Sequence, residues 1–110
     1  MKRGEIYLFD LLGGIGHEQS GNRPGILMSN IINGMLMVVP LTTNLESLRF
    51  SHTLSIIPNK KNNLKSESVA LISHLKSLDK RRATKYIGKI DLPVREDLSQ
   101  ILKVMFAITD

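Results

Sequence analysis

His17, Glu18 and Arg23 stand close together in a segment that opens on Gly13-Gly14-Ile15-Gly16 and closes on Pro24. One apolar run further on, Met35 to Leu41 ends in Thr42-Thr43-Asn44. An imidazole, a carboxylate and a guanidinium thus lie one strand away from a pair of hydroxyls, a set that suits work on a phosphodiester. The guanidinium of Arg23 offers forked, charge-assisted hydrogen bonds to phosphate oxygens. The hydroxyl of Thr42, at a strand end, can donate to a non-bridging oxygen. His17 has an ordinary pKa near 6.5 and exchanges a proton close to neutrality. Glu18 serves as a base only if burial raises its pKa. Each residue also has a plainer reading. Arg23 pairs with Glu18 on the surface, Thr42 follows the liking of threonine for strands, His17 is a solvated loop residue, and Glu18 is the structural partner of Arg23.

These groups need a frame, and 110 residues make one domain, 1–110, with 42% hydrophobic residues available for a core. The net charge of +5 favours polyanionic partners without requiring them. No apolar run approaches the ~18 residues of a membrane span. Met1-Lys2-Arg3-Gly4-Glu5 runs straight into a strand pattern with no signal peptide. The absence of cysteine excludes disulfides and thiolate metal sites and fits a reducing, cytoplasmic setting. Neither G-x-G-x-x-G nor G-x-x-x-x-G-K-[ST] is present.

Alternation predicts a strand over Glu5–Leu12, with Ile6, Leu8 and Asp10 on one face and Tyr7, Phe9 and Leu11 on the other. A second strand starts at Pro24 and runs to Ser29. Asn33-Gly34 is a hairpin signal because both residues tolerate positive φ. Met35–Leu41 returns as a central strand, with Pro40 marking a bulge or a pairing break. A loop over Asn44–Phe50, a strand over His52–Ile57 and an exposed lysine-rich loop over Pro58–Ser66 follow. Ser68–Leu78 reads as one long strand, with Asp79 capping a basic turn at Lys80–Ala83 and a strand over Tyr86–Ile90. Pro93, Glu96 and Asp97 open a helix whose apolar stripe is Leu98, Ile101, Leu102, Met105 and Phe106. The expected fold is mainly β with a C-terminal α-helix, a strongly bent sheet or small barrel.

The segment Gly16-His17-Glu18-Gln19-x-Gly21-x-Arg23-Pro24 resembles the box G-[HS]-E-Q-x-G-x-R-P of the MazF/PemK family of toxin endoribonucleases. The likeness covers nearly the whole chain. Lys2-Arg3-Gly4-Glu5-Ile6-Tyr7, Ser29-Asn30, Val39-Pro40-Leu41-Thr42-Thr43, Ser68-Val69-Ala70-Leu71 and Lys76-Ser77-Leu78-Asp79-Lys80 resemble its other segments, in order. The resemblance implies a small SH3-like barrel of the CcdB/MazF kind and a homodimer, one half of a toxin–antitoxin pair. It also implies cleavage of single-stranded RNA, usually messenger RNA, without a metal ion or other cofactor. The products carry 2′,3′-cyclic phosphate and 5′-hydroxyl ends, and a cognate antitoxin covers the RNA groove.

Carried over residue by residue, the resemblance implies catalytic roles for Arg23 and Thr42, with His17 and Glu18 competing for proton transfer. Gln19, Asn22, Thr43, His74, Lys76 and Lys80 are the RNA-binding candidates. The fifth strand departs from the family pattern: Ser73-His74 stands where many relatives have an acidic residue followed by Gln. His74 substitutes for that pair, contacts bases, or is a partly buried structural residue. His52 reads as an ordinary strand residue, and no spacing motif joins it to His17 and His74 as a metal site. Lys76, Lys80, Arg81, Arg82, Lys85 and Lys89 form the densest basic stretch, either phosphate-tracking or a solvated face. Two other readings remain. One is a gyrase-poisoning toxin of the same fold, which a Trp-Gly-Ile ending would mark, whereas this chain ends Ala107-Ile108-Thr109-Asp110 without Trp. The other is a silent member that binds RNA or antitoxin without cutting.

Overall fold

Asn33 and Gly34 take φ of 50° and 78° and turn the chain between mutual hydrogen bonds of Ile32 and Met35, both 2.9 Å. This is the tight hairpin that the Asn-Gly pair predicts. The hairpin organises a computed structural model that describes residues 1–11 and 21–108. The strands are β1 (Glu5–Asp10), β2 (Asn22–Leu27), β3 (Met35–Thr42), β4 (Thr53–Ile56), β5 (Ser68–Leu71), β6 (Lys76–Asp79) and β7 (Ala83–Lys89); helix α1 spans Leu92–Met105. Neighbours in the sheet run β4-β5-β3-β2-β1-β7, and β6 also pairs with β3.

β3 is the spine. Its first half, Met35–Val38, pairs with β6; its last residues, Leu41 and Thr42, pair with β5; its other edge pairs with β2. Pro40, which donates no ladder hydrogen bond, lies at the change from β6 to β5. The expected break in pairing is therefore present on that edge. Side chains alternate across the sheet. Ile6, Ile26, Val39 and Leu41 join Ile56, Ala70, Ile72, Ile90 and Leu98 in the main core. Phe9, Leu11, Leu27, Leu36, Val38 and Leu78 form a second cluster on the opposite face. The alternation read for β1 holds, with both of its faces used.

Three readings of the sequence are corrected. Ser68–Leu78 is two short strands, because residues Ile72–His74 form a 3-10 turn between β5 and β6. Residues Leu45–Arg49 also form a 3-10 turn, capped by Asn44, whose side chain accepts from the Glu46 N–H at 3.2 Å. His52 is no strand residue: it takes φ 59° just before β4. The basic turn Lys80–Arg82 follows Asp79 as expected. Arg81 donates to Asp79 from its guanidinium and its backbone N–H, and these bonds hold the carboxyl below its ordinary pKa.

The exposed lysine-rich loop conceals a buried anchor. Asn62 is 1% exposed. Its Oδ1 accepts from the N–H groups of Asn59 and Leu64, both at 3.0 Å, and its Nδ2 donates to the Ile57 carbonyl at 2.9 Å. The loop is then drawn onto β7: Lys89 N–H donates to the Lys61 carbonyl at 3.0 Å, and Asn63 Nδ2 donates to the Ile87 carbonyl at 3.2 Å. Gly88 permits the approach, since a Cβ there would lie 2.6 Å from the carbonyl oxygens of Lys61 and Asn62. Replacing Asn62 by alanine leaves those backbone groups without their partners. The expected cost is about 2–4 kcal/mol, measured by urea denaturation, together with faster hydrogen exchange over residues 57–66.

Candidate RNA-cleaving face

β2 and β3 pair Gly25 with Pro40, Ile26 with Val39 and Leu27 with Val38. Met28 N–H donates to the Met37 carbonyl at 2.8 Å in the same register. Continued two residues the other way, that register sets Arg23 opposite Thr42. By alternation both share the face of Gly25 and Pro40, away from the main core. β6 adds Lys76, the partner of Val38, to the same face. A guanidinium, a hydroxyl and an ammonium from three strands are thereby gathered on one side of the sheet.

Arg23 is half-buried and pairs across the β1–β2 ladder with Phe9, which is fully buried. The strand below this cation is therefore anchored in the second cluster. Thr42 is 8% exposed, and its Oγ1 accepts from the Asn44 N–H at 3.2 Å. That bond uses an oxygen lone pair and leaves the hydroxyl proton available to donate. Tyr7, two residues before Phe9, packs edge-to-face on both Phe9 and Tyr86. Burial, then the Glu5 carboxylate, raises its phenol above its ordinary value, so at neutral pH it stays protonated.

His17, Glu18 and Gln19 lie outside the described residues. The backbone that frames them is described: Leu11 N–H donates to the Gly21 carbonyl at 3.0 Å, and Gly21 directly precedes Asn22 at the start of β2. The chain therefore enters and leaves residues 12–20 beside Arg23. Asn22 is exposed at that strand end, paired with Asp10. Thr43 is exposed and, by alternation, faces away from Thr42. His74 is half-buried in the 3-10 turn just before β6 and Lys76. Lys80 is remote from Arg23. Its N–H donates to the Gly34 carbonyl at 2.9 Å, at the opposite end of β3 from Thr42. The basic stretch is not one stripe either, since Arg81 is engaged by Asp79 and Arg82 lies 3.5 Å from Asp10. Among the described residues no three His, Asp or Glu side chains cluster as metal ligands, and no helix is long and apolar enough to cross a membrane.

The fold and the sequence both have counterparts among known proteins. Over its full length the chain is 26% identical to "Endoribonuclease EndoA" of Bacillus subtilis, covering 97% of that protein. It is 30% identical to "Endoribonuclease MazF" of Staphylococcus epidermidis over 74% of this chain and 71% of that one. The fold superposes on crystalline MazF from Deinococcus radiodurans with a TM-score of 0.81 at 22% identity, covering 98% of this chain and 97% of that one. It also superposes on a mycobacterial endoribonuclease solved with its cognate antitoxin, with a TM-score of 0.75 at 19% identity, covering 100% and 98%. The sequence model of the PemK-like, MazF-like toxins of type II toxin–antitoxin systems matches residues 2–106, the stretch that contains β1 through α1, and the chain belongs to that family.

Proposed function

We propose that the chain is the toxin of a type II toxin–antitoxin pair and a sequence-selective endoribonuclease that cleaves single-stranded RNA, chiefly messenger RNA, without a metal ion. The observation that supports this reading is the β2–β3 register, which continued from Gly25–Pro40 sets Arg23 opposite Thr42, in a chain whose relatives are endoribonucleases.

Cleavage through the RNA's own 2′-OH needs a base for the 2′ proton, an acid for the departing 5′ oxygen, and fixed donors for the charged phosphorus centre. The 2′ oxygen attacks phosphorus, the P–O5′ bond breaks, and O5′ takes up a proton. The ends are then a 2′,3′-cyclic phosphate and a 5′-hydroxyl. Arg23 and the Thr42 hydroxyl grip the non-bridging oxygens, and Lys76 adds positive charge on the same face. His17 and Glu18, in the segment that leaves and rejoins the sheet beside Arg23, supply the proton transfers.

The test mixes the purified protein, freed of antitoxin, with long mixed-sequence RNA in excess EDTA and analyses the fragment ends. Discrete fragments with cyclic-phosphate and 5′-hydroxyl ends support the reading. Intact RNA, with folded protein and varied sequences, overturns it and leaves the binding-only readings. Thr42→Val keeps the shape and removes the hydroxyl, and it is expected to lower kcat on the order of 10²-fold in single-turnover cleavage. The base is identified by the pH dependence of kcat/KM. If His17 is the base, the acid limb falls near about pH 6.5 and disappears in His17→Ala but persists in Glu18→Gln. The opposite pattern assigns Glu18.

A cognate antitoxin as partner rests on family membership, and a mycobacterial endoribonuclease of the same fold has been solved with its own. A homodimer rests on the family as well. The end of α1 and the residues after it supply apolar surface for one, with Val104, Phe106 and Ile108 exposed by 72%, 57% and 58%. Phe106 therefore sits at the end of the helix, outside the buried stripe that its spacing suggested.

A further inference from the structure

On the opposite side of the same strand ends is a cavity of about 360 Å³, lined by Leu8, Pro24, Leu64 and Ile87 with Thr43, Asn63, Lys65, Ser66 and Lys85 among its polar groups. Pro24 and Thr43 belong to it because each directly follows a residue of the reactive face, Arg23 and Thr42, and side chains alternate along a strand. The cavity and the reactive face thus share one rim, beyond the point where the β2–β3 ladder stops at Gly25 and Pro40.

The cavity is a built feature. One wall is β7, with Lys85 paired to Leu8. The other is the loop that Asn62 anchors and Gly88 allows against β7, and the Asn63 amide is tied to the Ile87 carbonyl. Its charge is one-sided: two lysines line it and no carboxylate does. Glu67, next in sequence to Ser66, is turned away and accepts from the Ser55 hydroxyl at 2.6 Å. An apolar floor with a few polar groups, in a cavity above roughly 300 Å³, suits a small planar group, and two lysines in its lining suit a phosphate.

We propose that this cavity binds a nucleotide of the RNA next to the cleaved bond, with its base against Leu8, Leu64 and Ile87 and its phosphate held by Lys65 and Lys85. The strand of RNA then crosses the rim between Arg23–Thr42 and Pro24–Thr43. The Asn63 side chain, fixed to β7, reads the base edge and contributes to sequence preference. This inference rests on the ribonuclease reading above. An acidic, apolar peptide is the competing occupant; the position of the cavity one residue from the reactive pair favours RNA.

The test measures binding and cleavage separately. The probe is a fluorescein-labelled, 2′-O-methylated RNA of about a dozen mixed-sequence nucleotides, which cannot be cut through its 2′ oxygens. Lys65→Ala/Lys85→Ala is expected to lower the slope of log affinity against log salt by about 0.7, the value for one lost phosphate contact on a single strand. Ser66→Phe, which fills the mouth, is expected to weaken binding on the order of tenfold and to raise KM with little change in kcat. Asn63→Ala is expected to relax the cleaved sequence at one position only, an effect that a purely structural role would not produce. Cleavage by the wild type with unchanged salt slope, KM and sequence preference in all three variants overturns the cavity proposal and leaves the ribonuclease reading intact. Failure of the wild type both to cut RNA and to bind the probe overturns both. Unchanged RNA binding, with loss of affinity only for an acidic apolar peptide, reassigns the cavity to a protein partner.

Discussion

Arg23→Ala is expected to lower kcat for RNA cleavage on the order of 10²–10³-fold, while far-UV circular dichroism and the gel-filtration profile stay those of the wild type. The size of the effect follows from the geometry. Arg23 is the only arginine of β2; the β2–β3 register, continued past Gly25 and Pro40, sets it opposite Thr42, and its cross-strand partner on β1 is the buried Phe9. A guanidinium carried on a strand so fixed needs little reorganisation to meet the phosphate, and its hydrogen bonds strengthen as charge develops. Arg23→Lys sharpens the test. It keeps the charge but loses the planar fork, so activity is expected between that of wild type and alanine, with the deficit mainly in kcat. A lysine variant with full activity would show that only charge is needed at this position. An alanine variant that cuts like the wild type would remove Arg23 from the mechanism.

Leu98→Ala is expected to destabilise the fold by about 2–5 kcal/mol, a fall in Tm on the order of 10–20 °C for a domain of this size. Leu98 is the one fully buried side chain of α1 and joins the main core with Ile6, Ile26, Val39 and Leu41. Ile101, Leu102 and Met105 pack against that core only in part. Truncation at Leu98 therefore leaves a cavity at the centre of the contact between helix and sheet. Leu92→Ala, at an exposed position in the first turn, is the control and is expected to change stability by less than about 0.5 kcal/mol. Thermal and urea unfolding of the two variants decide the matter; equal effects would mean that α1 is not held through Leu98.

Much of the frame was legible because its signals are local. Asn33-Gly34 marks its hairpin by backbone preference alone. Pro93 falls in the first turn of α1 as its fixed φ predicts, whereas Glu96 and Asp97 lie beyond that turn, and the cap is Asp91, whose side chain accepts from the Val94 N–H at 3.1 Å. The alternation of β1 is legible because successive side chains must point to opposite faces. The 3-10 turn at Ile72–His74 was not legible, because Ser68–Leu78 keeps a strand-like alternation through it; the chain bends there when β3 exchanges β5 for β6 as its partner. Asn62 escaped notice for a different reason. An asparagine among lysines looks solvated until the loop closes over it.

The sequence by itself determined which chemical groups are available, where the hairpin turns and where the helix starts, and through its Gly16–Pro24 box it points to the family that the match over residues 2–106 establishes. These depend on residue types at short range. Only the tertiary structure decided which of the candidates share a face. Arg23, Thr42 and Lys76 share one face because strand register and alternation act across three strands that are far apart in the chain. Thr43 and Lys80, one residue from Thr42 and four from Lys76, are turned to the other side or carried to the far end of β3. Neighbourhood in sequence does not survive the alternation of a strand, whereas a register set by core packing brings distant side chains to one surface.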